Sequence, residues 1–242
     1  MTLAFAHTRA LTVELLRQPA YLVPTLAFPA VFFLFFAAPA TGVAADIRMA
    51  TFAGFAAIGV AFFQFGVGIA VERSSPWETY VRTLPVTASV RLTARLLSAA
   101  GFAAASAAVV VAVAIAATPA SLPAPSWLEL GGVLLAGVTP IALLGVAIGY
   151  WAPPRAALPL ANLLYLVLSY AGGLWFRPER LPRVVEAVSP LLPTHALADV
   201  LVAAALGGLP PWRSWCALAG FAGLFGIVAA WGYRRDEIRR YR

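Results

Sequence analysis

Long apolar stretches separated by short polar clusters set the pattern of this chain. They fall at about 21–40, 49–71, 96–118, 128–151, 157–176 and 214–233. Each approaches the roughly 20 residues that a helix needs to cross the hydrocarbon core of a bilayer. None contains a charged residue except the fourth, which has Glu129 at its edge. The pattern predicts an all-α polytopic membrane protein, a single domain over 1–242 with six transmembrane helices. The first stretch is read as a retained span, because its apolar run of 21–38 exceeds the 7–15 residues of a signal-peptide core.

Composition agrees with lipid exposure. The 242 residues are 62% hydrophobic and 11% charged, against about 45–50% and 25% for soluble domains. The net charge is +7, and every one of the 17 basic residues is an arginine. With both termini cytoplasmic, twelve arginines lie inside: Arg9, Arg17, Arg73, Arg82, Arg91, Arg95, Arg155, Arg234, Arg235, Arg239, Arg240 and Arg242. Only Arg48, Arg177, Arg180, Arg183 and Arg213 lie outside. Acidic residues divide evenly, so the whole excess is cytoplasmic, as the positive-inside bias requires. The basic excess is therefore an orientation signal in the plasma membrane and not a nucleic-acid surface. The single cysteine, Cys216, excludes an intramolecular disulfide.

Two longer segments connect the spans, a cytoplasmic one at 72–95 and an extracellular one at 177–213. In the first, Ser75 and Glu78 have capping-box spacing, and Pro76 suits the first helical position. Pro85 ends the element by pushing Leu84 out of helical backbone. A short helix over 76–84 is expected, with Trp77, Tyr80, Val81 and Leu84 on one apolar face and Glu78 paired to Arg82. So short a helix is unstable alone and needs a surface to dock on. The residues leave two surfaces open, the membrane interface or a cytoplasmic protein.

The run Glu72-Arg73-Ser74-Ser75-Pro76-Trp77-Glu78-Thr79-Tyr80-Val81-Arg82-Thr83-Leu84-Pro85-Val86 resembles the loop between the second and third spans of ABC type-2 transporter permeases. Glu72, Arg73, Glu78, Arg82 and Pro85 match by position, while Pro76-Trp77 stands where that family has Gly-Thr. The N-terminal Arg17-Gln18-Pro19 with Pro29 is similar to the family's elbow helix, here 1–20, and its passage into the membrane. Gly172-Gly173-Leu174-Trp175-Phe176, with Leu181-Pro182 and Leu192-Pro193-Thr194-His195-Ala196, resembles its signature after the fifth span. The resemblance implies the membrane subunit of an ABC exporter, an interfacial elbow and a coupling helix. The residues that would touch the ATPase are Glu72, Arg73, Trp77, Glu78, Tyr80, Val81, Arg82, Leu84 and Pro85. It also implies two copies of a separate ATPase and a second permease copy or a homologous permease. A haem-exporter-type permease is the alternative within transport, and a membrane enzyme or scaffold the alternative outside it.

The extracellular segment is apolar over 187–206 but interrupted by Pro190 and Pro193. Proline inside a helix costs about 3 kcal/mol, so two short helices are expected there, as a re-entrant element before the sixth span. His195 and Asp199 stand at i,i+4 and are expected to share a hydrogen bond, since a metal site needs further ligands.

Within the spans, Gln64, Asn162, Tyr165 and Ser169 are candidates for a pathway or a subunit interface, with helix–helix hydrogen bonding as the plainer role. Gly145 and Gly149 form a GxxxG face on the fourth span, and Gly66 and Gly68 on the second favour close approach. The spans lack the charged residues typical of ion-coupled carriers. The chain has no P-loop or H-E-x-x-H and no G-x-S-x-G. No catalytic, cofactor-binding or metal-binding residue is therefore expected; energy would come from a separate ATPase, and the charge-free interior favours an amphiphilic, drug-like or lipid-linked substrate.

Overall fold

The computed structural model describes residues 2–76, 88–177, 181–209 and 211–240. The regular structure among the described residues is all helical, with no strand. The chain opens with α1 (Thr2–Leu16), which covers the expected elbow and lies along the third long helix, where Thr12 Oγ1 donates to Ser98 Oγ at 3.2 Å. Pro19 begins α2 (Pro19–Phe36), and Pro24 and Pro29 lie inside it. Next come α3 (Val43–Ala61), a π-helical stretch over Phe62–Val67 and α4 (Gly68–Glu72), which together make one continuous 30-residue span.

Next is α5 (Ala88–Ala117), which begins within the 72–95 segment. The fourth span is divided at Val138 into α6 (Ala124–Gly137) and α7 (Thr139–Trp151); Pro140 has no N–H to continue the ladder across the join. Then α8 (Pro154–Ala171) ends at Gly172, and Gly173 takes a positive φ of 85°. Two helices, α9 (Arg183–Val188) and α10 (Pro193–Ala205), flank a 3-10 turn at Ser189–Leu191. The last helix is α11 (Trp212–Arg240).

Among the described residues, five helices are long and apolar enough to cross a membrane: Pro19–Phe36, Val43–Glu72, Val90–Ala117, Ala124–Trp151 and Trp212–Ile238. The expected span at 157–176 is not among them. Its helix starts three residues early, takes in Pro154 and Arg155, and stops at the Gly172-Gly173 turn, which leaves 18 residues. That length equals α2's, which does qualify; what this helix lacks is apolarity, because Pro154, Arg155, Pro159 and Asn162 dilute its apolar run. The count becomes six if Arg183–Leu191 and Pro193–Ala205, bent by 84°, are taken as one broken span. The bend falls at Leu192, before Pro193, which is the two-helix arrangement the prolines require.

The second span is the axis of the bundle. Nearly every residue from Met49 to Phe62 is buried, and α2, α5, α7 and α10 pack around it. The outer helices keep apolar side chains exposed, including Phe35, Leu128, Ile227 and Trp231. That is the inverse of a soluble protein and is what a lipid surround requires.

Candidate functional site

A groove of about 450 Å³ runs between α2, the second span and α8. Its walls are Gln18, Ala20, Tyr21, Pro24, Thr25, Phe28 and Pro29 from the first span, Gly59, Phe63 and Val67 from the second, and Leu158, Asn162 and Tyr165 from α8. None of these carries a charge. A smaller cavity of about 210 Å³ adjoins it, shares Gln18, Tyr21, Phe63 and Val67, and extends to Gln64, Gly68, Glu72 and Arg95.

Of the four polar span residues singled out from the sequence, Asn162 and Tyr165 line the groove and Gln64 lines the smaller cavity. Asn162 is exposed. Tyr165 is 2% exposed, stacked on Phe55 with ring centroids 4.5 Å apart, and its hydroxyl has no hydrogen-bond partner among the described residues. Ser169 is fully buried and donates back to the Tyr165 carbonyl one turn earlier, so it serves the helix rather than the groove. Gln64 donates through Nε2 to Tyr21 Oη at 2.9 Å, joining the first two spans.

Three polar residues outside those four tie the surrounding helices together. Pro29 has no N–H, so the Thr25 carbonyl loses its helical donor; Ser106 of α5 donates to it at 2.8 Å. In the π-helical stretch the Gly68 N–H reaches back five residues to Phe63 O. It therefore bypasses Gln64 O, and Arg95 Nη1 donates to that carbonyl at 3.2 Å. Arg95 Nη2 pairs with Glu72 as well. Asp236 is the third, accepting from Arg73 Nη1 at 3.0 Å. The signal for Ser106 is readable in hindsight: a proline inside a buried helix leaves a carbonyl four residues earlier in need of a donor.

Of the residues matched to an ATPase contact, only Glu72 and Arg73 are described. Both face other parts of this chain: Glu72 holds Arg95, and Arg73 bonds Asp236 and, through Nη2 at 2.6 Å, the Ala152 carbonyl. Trp77, Glu78, Tyr80, Val81, Arg82, Leu84 and Pro85 lie outside the described residues, as does the expected helix they form.

The GxxxG face is used. A Cβ on Gly145 would lie 2.7 Å from the Ala61 carbonyl oxygen, and one on Gly149 2.6 Å from that of Phe65. The fourth span thus seats on the π-helical stretch itself. At the end of α8, Gly172 packs against Thr194, which donates to Leu168 O at 2.6 Å. His195 Nε2 lies 3.8 Å from Asp199, too far for the expected hydrogen bond, and Asp199 accepts from Ser214 at 3.0 Å instead. His195 Nδ1 is 3.1 Å from Ser189 Oγ. Among the described residues no three His, Cys, Asp or Glu side chains are grouped to hold a metal ion.

The architecture is that of a multi-pass helical membrane protein with an uncharged groove along one side. No family model matches the chain. It is similar over nearly its whole length to a protein of Bacillus subtilis (strain 168) named "Putative transport permease YvfS": 23% identity over 230 residues, covering 93% of this chain and 94% of that one.

Proposed function

We propose that the chain is a membrane permease, and that it works as the transmembrane subunit of an ATP-binding-cassette exporter. The observation that carries this reading is the groove. It is lined without charge at membrane depth, closed on one side by the second span and open on the other, where Asn162 is exposed. A polar amide facing lipid is costly, so such a wall calls for a second wall. Two copies of the chain, or this chain and a homologous permease, would close the groove into a pathway for an amphiphilic substrate.

In this reading both termini are cytoplasmic and the 72–95 segment carries the coupling helix. Trp77, Tyr80, Val81 and Leu84 form its docking face, with Glu78 and Arg82 as polar contacts to two ATPase subunits. The bent pair α9–α10 forms the re-entrant element at the outer mouth. The near-full-length similarity to a protein named for transport supports the permease reading, and the loop resemblance supports the ABC type.

The test is co-expression with any P-loop ATPase found encoded beside the gene, then ATP-dependent efflux of a panel of amphiphiles from proteoliposomes. Glu78→Arg and Arg82→Glu are expected to abolish efflux while the permease still inserts. Unchanged efflux in both variants, or no association with the ATPase, would overturn the reading.

A further inference from the structure

The wide turn in the second span has a definite effect on the groove. Gly59, Phe63 and Val67 form the second span's share of its wall, at successive spacings of four residues. In an unbroken α-helix of 3.6 residues per turn these three would drift by about 80° around the axis. The wider turn over Phe62–Val67 takes up that drift and keeps Phe63 and Val67 facing the groove. Such a stretch is rare, and it leaves carbonyls out of the helical ladder.

The carbonyl left out here is that of Gln64, and Arg95 supplies its donor. The same guanidinium is held by Glu72, the last residue of α4 and the first of the cytoplasmic segment. Gly68 lies beside it, where a Cβ would stand in ordinary contact at 3.5 Å from Arg95 Nη1. In the same small cavity as this latch, the Gln64 side chain holds Tyr21, which lines both cavities. One residue therefore connects the start of the cytoplasmic segment, the register of the second span and the groove.

We infer that Arg95 is a positioning residue that latches a register switch in the second span. With Glu72 in place, Arg95 caps Gln64 O and the π-helical stretch persists. When residues 72 and 73 are displaced, Arg95 follows Glu72, the Gly68 N–H returns to Gln64 O, and the stretch tightens to α-helix. Val67 then turns away from the groove. The inference rests on the groove being the pathway only for its purpose; the switch itself belongs to the permease alone.

The experiment uses the full chain in lipid nanodiscs without an ATPase. Val67→Cys or Leu158→Cys is introduced into a Cys216→Ala background, and the rate of labelling by N-ethylmaleimide is measured. Glu72→Gln and Arg95→Met are each expected to slow labelling at position 67 several-fold and to leave position 158, on α8, unchanged. Equal rates at position 67 in all backgrounds would overturn the switch. So would parallel changes at 67 and 158, which signify general loosening, or an effect of Arg95→Met without one of Glu72→Gln. Should Arg95→Met fail to fold, Glu72→Gln decides the matter, since it keeps the arginine and the side-chain volume. Failure of the exporter reading would show separately, as absent ATP-dependent efflux with the labelling pattern intact.

Discussion

Ser106 donates its hydroxyl at 2.8 Å to the Thr25 carbonyl that Pro29 deprives of a helical donor. Both side chains are buried, Ser106 completely, and no water is at hand at this depth to replace the bond. Ser106→Ala is expected to destabilise the protein by about 1–3 kcal/mol, the cost of a buried carbonyl left unsatisfied. In a Pro29→Ala background the helix regains its own N–H donor, and the same serine substitution becomes nearly neutral. Unfolding in mixed micelles of the four combinations measures this; equal losses in both backgrounds would show that Ser106 acts through packing instead.

Gly149 permits the fourth span to seat on the second. A Cβ there would meet the Phe65 carbonyl oxygen at 2.6 Å and Ile69 Cβ at 2.7 Å, both on backbone or next to it. Gly149→Ala is expected to cost roughly 1–3 kcal/mol through overpacking. Gly220→Ala, on α11 with no atom within 4 Å of the added carbon, is the control and should be neutral or stabilising by up to about 1 kcal/mol. Thermal unfolding of the two variants in one detergent provides the comparison.

These relationships divide into those the sequence shows and those it hides. The long apolar stretches, the proline break before α10, the GxxxG face and the His195–Asp199 proximity are local signals, since period, proline and four-residue spacing are read along one element. The donors are not local. Arg95 and Ser106 both lie on α5, yet they complete carbonyls of two different spans, and nothing near them in sequence indicates this. The π-helical stretch is also hidden, because Phe62–Val67 reads as an ordinary apolar run. Gln64 and Ser169 look alike as isolated polar residues, and only packing gives one an interhelical bond and the other a bond within its own helix.

Arg73 joins three parts of one end of the bundle. It bonds Asp236 of the last helix and the Ala152 carbonyl that ends the fourth span, and Arg235 lies over the Trp151 ring at 4.8 Å beside it. Hydrogen bonds to charged groups contribute about 1.5–3 kcal/mol, so Arg73→Ala should lower stability by that order in the permease alone. Asp236→Asn, which keeps an acceptor oxygen, should cost less. Chemical unfolding without any ATPase measures the loss. A fully stable Arg73→Ala protein would return the residue to a role outside the chain.

Gln64 and Asn162 are both carboxamides beside the groove, and they should respond in opposite ways to loss of polarity. Gln64 is 5% exposed and bonded to Tyr21. A double-mutant cycle of Gln64→Leu with Tyr21→Phe should give a coupling of about 0.6 kcal/mol, with about 1.7 kcal/mol as the upper range for such bonds in membranes. Asn162 is exposed on the groove wall, so Asn162→Leu breaks no hydrogen bond among the described residues and puts an apolar side chain where a lone chain meets lipid. The single permease should keep its stability. If a second permease or the substrate covers this wall, as the exporter reading requires, the same change should weaken self-association or efflux. Cross-linking yield and ATP-dependent efflux distinguish these, and a variant indistinguishable from wild type in both would remove Asn162 from the pathway.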